Sequence, residues 1–80
     1  MKYQEMEPGK EYLVQVSCRG FMNCGYHGTF EGIEDDKVKL RGTTKLNLAK
    51  LAMGMEDRES IGDLYVPVKM IRNISAPQRV

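Results

Sequence analysis

Three groups of side chains in this chain of 80 residues have types and spacings that bear on chemistry. The first is Cys18, Cys24 and His27. Thiolate and imidazole are the ligands zinc prefers, and the same pair is the basis of a cysteine nucleophile. Here the spacing suits neither use. Two cysteines with five residues between them do not form a metal knuckle, and the chain holds no fourth ligand of that kind. The single His has no evident third group to orient its ring. No metal, no cofactor and no catalytic residue is therefore expected; Cys18 reads as a small buried hydrophobe and Cys24 as a loop residue.

The second group is acidic. Glu31, Glu34, Asp35 and Asp36 fall within the run GTFEGIEDDKVKL. Paired carboxylates serve as acid and base when burial drives their pKa values apart, but three consecutive acids at the tip of a hairpin stay solvated. Asp also favours turns, because its side chain bonds nearby backbone N–H groups. The expectation is a bend, with Glu34 helping to fix it; contact with a partner or a cation is the other reading of these residues. The third group is basic. Lys37, Lys39 and Arg41 alternate with Val38 and Leu40, so a strand would set all three on one face about 7 Å apart. That spacing is close to the phosphate repeat of an extended single strand, although a solvated outer face produces the same pattern. Tyr12, Phe21, Tyr26 and Tyr65 are candidates for stacking on bases, with most of them expected in the core.

The elements that must carry these groups are mostly strands. EYLVQVSC, residues 11–18, alternates strictly and follows a Pro8-Gly9 turn. β-Branched and aromatic residues gather again over 26–33, and alternation resumes over 37–41. Short connections between these segments imply an antiparallel meander. Residues 42–63 lack clear alternation; apolar residues at steps of three and four suggest a short helix over 45–53, with a β excursion as the alternative. Two last strands follow over 63–68 and 71–75, pivoting at Lys69 and Met70. Pro67 has no N–H, which confines its strand to an edge or to a gap in the ladder. The first nine residues and the tail APQRV read as loose ends. Five short strands with glycines at 25, 28 and 32, where a strand bends, close most simply as one small, strongly bent antiparallel barrel.

Size and charge narrow the function classes. A single domain of this length buries only roughly 60–65% of its unfolded surface, so a partner subunit would add stability. Twelve basic residues against eleven acidic ones leave a net charge of +1, and any affinity for nucleic acid must come from a local patch. No apolar run approaches the roughly 20 residues of a membrane span, and the N-terminus is too charged for a signal-peptide core. A cytoplasmic protein with reduced thiols is the expectation.

Gly28, Phe30, Ile33, Glu34, Val38 and Leu40, followed by VKMIRNIS near the end, resemble the Sm-like family, particularly its bacterial, Hfq-type branch. The likeness covers about half the chain. Departures are Glu34 where the family has Asp, and Pro67, Val68 and Lys69 where the bacterial branch has Tyr-Lys-His. The resemblance implies a ring in which the fourth strand of one protomer pairs with the fifth of the next, binding single-stranded RNA without catalysis. Lys69 and Arg72 are then the expected phosphate contacts, with Lys37, Lys39 and Arg41 as a second surface. A structural or protein-interaction module of the same fold, for instance phage- or assembly-associated, is the alternative.

Overall fold

A computed structural model describes residues 2–17, 24–47, 50, 52–55 and 58–76. Five antiparallel strands form one sheet: β1 (Glu11–Val16), β2 (Cys24–Glu34), β3 (Lys37–Asn47), β4 (Arg58–Pro67) and β5 (Ile71–Ser75). Their order is β4-β3-β2-β1-β5, so β4 and β5 are the two edges and the sheet is open between them. Pro67 accordingly ends an edge strand, where its missing N–H costs least.

A single core nevertheless draws on all five strands. Tyr12, Val14 and Val16 from β1, Phe30 from β2, Val38 and Leu40 from β3, Val66 from β4 and Ile74 from β5 are buried together. A flat sheet could not bring both its edges to one cluster, so the sheet must curl. The pairing shows how. Between the pairs His27↔Thr44 and Thr29↔Arg41, β2 has one residue where β3 has two; between Leu40↔Leu64 and Thr43↔Gly62, β4 likewise has one against two. The surplus residue of β3 includes Gly42 in the left-handed region at φ 60°, and Gly62 lies opposite at φ 72°. Bulges increase local twist and bend the strand. Gly28 lies on the same line across the sheet, and a Cβ there would sit 3.0 Å from Thr43 Oγ1 and 3.2 Å from the Arg41 carbonyl oxygen.

A second bulge explains an odd spacing in the sequence. Phe30 pairs with Leu40 and Gly32 with Lys39, leaving Glu31 as the extra residue on β2. This shifts the phase by one, so Phe30 and Ile33, three apart, share a face.

Three expectations about the backbone need correction. Lys45, Leu46 and Asn47 continue β3 rather than begin a helix, and helical backbone is found at Lys50 and Ala52. β4 begins at Arg58, five residues before the expected start. The N-terminal segment is not loose. After a 3-10 turn over Tyr3–Glu5, Met6 is buried in the core. The Glu7 N–H donates to Tyr12 Oη at 2.8 Å, and Phe30 exchanges backbone hydrogen bonds with Gly9 and Lys10, each 2.9 Å. Tyr12 in turn meets Phe30 edge to face, ring centroids 6.4 Å apart. The segment therefore continues the ladder beyond β1.

Cys24 is buried and disulfide-bonded, contrary to the expectation of reduced thiols and of a loop position. The antiparallel register sets it opposite Val16, at the mouth of the connection that contains Cys18. Cys18, Phe21 and residues 77–80 of the tail lie outside the described residues.

Gly28→Ala should cost about 1–3 kcal/mol, because two of the three close neighbours are backbone or Cβ atoms that cannot swing aside. Urea denaturation of the two proteins measures this; an unchanged midpoint would mean that the crossing at Gly28 is not tight.

Candidate nucleic-acid interface

The alternation of β3 does what its sequence requires. Val38 and Leu40 are fully buried, while Lys37, Lys39 and Arg41 face outward. Of the three, two are engaged. Arg41 Nε stands 3.4 Å from Glu31 Oε1, the carboxylate that the bulge pushes out of register. Lys39 Nζ lies over the Tyr65 ring, 5.8 Å from its centroid, as the register Lys39↔Tyr65 demands. Lys37 sits at the hairpin end opposite Pro67.

The acids at that end are a turn. Asp35 and Asp36 have φ of 51° and 57°, the pair of positive values that defines a two-residue type I′ hairpin. Glu34 pairs with Lys37 as the last step of the ladder, so the turn is set by the backbone of the two Asp residues rather than by the Glu34 side chain. Among the described residues, no three His, Cys, Asp or Glu side chains converge as a metal site would require. His27 Nε2 is 3.8 Å from Glu11 Oε2 on the neighbouring strand, and the disulfide at Cys24 leaves no thiolate there for a His to activate.

A 3-10 turn over Val68–Met70 joins β4 to β5 and carries Lys69, which is exposed. The Val68 N–H donates to the Asp36 carbonyl at 2.9 Å, which locks this turn against the hairpin tip. Lys37 and Lys69 are thus brought to one end of the sheet. Arg72, exposed on β5, donates from Nε to Ser17 Oγ, and the Ser17 N–H donates to the Met70 carbonyl at 2.9 Å. Arg41 stands away from this end, near the bend.

No family model matches the chain, and neither does any curated protein or solved structure. Among the described residues no helix is long and apolar enough to cross a membrane.

Sequence reasoning missed one feature here. An open pocket of about 320 Å³ lies between the ends of β1 and β2 and the last residues of β4, with Tyr26, Tyr65, Pro67 and Met70 among its walls. The signal was present in part. Tyr65 alternates with the buried Val66 and the half-buried Leu64, which sets it outward, and it is 46% exposed, whereas Tyr12 is core.

Asp36→Gly should stabilise the fold by roughly 0.5–1 kcal/mol, since Gly relieves the positive φ at the second turn position. Thermal or urea unfolding reads the gain; a loss of stability would show that the Asp36 carboxylate has a bonding role in the turn.

Proposed function

We propose that this chain is a non-catalytic Sm-like module that assembles with copies of itself through β4 and β5 and binds single-stranded RNA. The observation that supports it best is the strand order. β4 and β5 are sequence neighbours joined by one 3-10 turn, yet they are the two outer strands of the sheet. Each edge offers a row of backbone donors and acceptors to a second chain, and a fourth-to-fifth strand pairing repeated head to tail closes a ring. Curling around a common core brings the two edges toward the closed form of a small barrel. Pro67 takes one donor from the β4 edge, at the end of the strand where pairing would finish.

RNA contact is assigned first to Lys69 and Arg72, at the β4–β5 turn and on the strand that follows, with Lys37, Lys39 and Arg41 as the second surface. Lys69 has the simplest case, being exposed on a turn that the hairpin tip holds in place. Arg41 is the weakest, because Glu31 already offsets its charge. The same free edges also favour a second reading, a structural or protein-interaction module whose edges bind protein strands and not RNA.

Native mass spectrometry should give a mass several times that of one chain, and fluorescence anisotropy should detect U- or A-rich oligonucleotides with an affinity that falls steeply as salt rises. Lys69→Ala should lower the slope of log affinity against log salt by about one. A protein that stays monomeric as its concentration is raised would remove the ring. An assembly with no oligonucleotide binding at low salt would leave the protein-interaction reading.

A further inference from the structure

The pocket between β1 and β4 has features that the charge pattern alone does not account for. Its volume of about 320 Å³ is at the small end of the range for ligand sites, roughly 300–1,000 Å³. The walls are mainly apolar, with Val66 and Met70 among them, and two aromatic rings, Tyr26 and Tyr65, contribute flat faces. Two cations adjoin its walls. Ser17 lines the pocket and accepts a hydrogen bond from Arg72 Nε, so the guanidinium is held at the mouth. Lys39 Nζ stands over the Tyr65 ring on the same strand pair. An apolar, ring-lined hollow with positive charge at the mouth matches a flat, weakly polar body joined to an anion.

We propose that this pocket takes one nucleotide, with the base against Tyr65 and the phosphate on Arg72. The assignment rests on the RNA reading above and adds a base-stacking residue to it. Stacking on an aromatic side chain tolerates any base, because every base has a π-face. Tyr65 is the ring available for this, being half exposed; Lys39 Nζ lies over it, so a stacking base takes the place of that side chain. The direction of the strand follows from the neighbouring charges. Beyond Tyr65 a second hollow of about 240 Å³ is lined by Glu34, Asp35 and Lys37, where two carboxylates outweigh one ammonium and make the site less favourable to a phosphodiester than the Arg72 side. The backbone therefore leaves the pocket on the Arg72 side.

The test is a titration of the isotope-labelled full chain with adenosine monophosphate, followed by amide NMR shifts, with adenosine and ribose 5-phosphate as the base-only and phosphate-only probes. Adenosine monophosphate should shift Ser17, Tyr26, Tyr65 and Met70 and bind more tightly than either fragment. Tyr65→Ala should weaken it about ten-fold, in the range for loss of one stacked base, and Tyr65→Phe should restore it. Arg72→Gln should weaken the nucleotide and leave adenosine unchanged. Equal binding of ribose 5-phosphate and the nucleotide, shifts confined to other residues, or wild-type affinity in Tyr65→Ala would each overturn the pocket. Oligonucleotide binding separates the two proposals. If Tyr65→Ala holds RNA as wild type does, the pocket assignment fails and the RNA reading stands; if the nucleotide shifts the pocket while no oligonucleotide binds, the RNA reading fails.

Discussion

The rest of the structure depends on the close crossing of β2 and β3 at Gly28. With a side chain there, the two backbones would part by enough to release Thr43, whose side chain is fully buried beneath them. Without one, β3 carries its surplus residue across the bend and Gly42 and Gly62 absorb the left-handed geometry on either side. Three adjacent strands then turn at the same level. That turn is what lets Val66 from one edge strand and Ile74 from the other reach the same core. The cost is visible in Thr43 Oγ1, which is buried at the bend without a hydrogen-bond partner among the described residues.

Bending also decides what is exposed. A curled but open sheet keeps β4 and β5 free at its two margins, and it tilts the last residues of β4 over the end of β1. The pocket is the gap left there. Its aromatic wall comes from Tyr65, which faces outward because Val66 must face inward, and its polar rim comes from Ser17 just past the end of β1. The free strand edges and the pocket are therefore both products of one steric concession on β2.

Legibility in the sequence followed the strand period. β1 and the first half of β3 alternate without interruption, and their inward residues are legible as such: Val14, Val38 and Leu40 are all core, whereas Ile71 and Ile74 on β5 stand three apart across an irregular step in the pairing with β1. The Gly-Phe-Ile spacing on β2 marked a framework but not its cause, since the three-residue step from Phe30 to Ile33 is a bulge around Glu31. Where bulges shifted the phase, alternation failed. Past Gly42 the apolar positions fall at steps of three and four, which is also the mark of a helix, so the pattern at residues 45–47 does not distinguish strand from helix. The N-terminal ties to Phe30 run through backbone atoms, which leave no trace in side-chain pattern. The basic residues are evident by type, but which of them are engaged depends on Glu31 and Tyr65, one set by a bulge and one by a register.

The two-residue turn at Asp35 and Asp36 bears on the order in which the molecule comes together. It joins two strands of eleven residues each, so the β2–β3 pairing closes through the shortest loop in the chain. The pairing of β1 with β5 is the opposite case, joining residues such as Gln15 and Asn73 that are 58 apart in sequence. Loop entropy opposes the second far more than the first, and rates fall as such distant contacts dominate. The hairpin is thus the natural nucleus, and the last strand to dock, β5, is one of the two left open to another chain. A nascent chain would expose unpaired strand edges before its own sheet was complete.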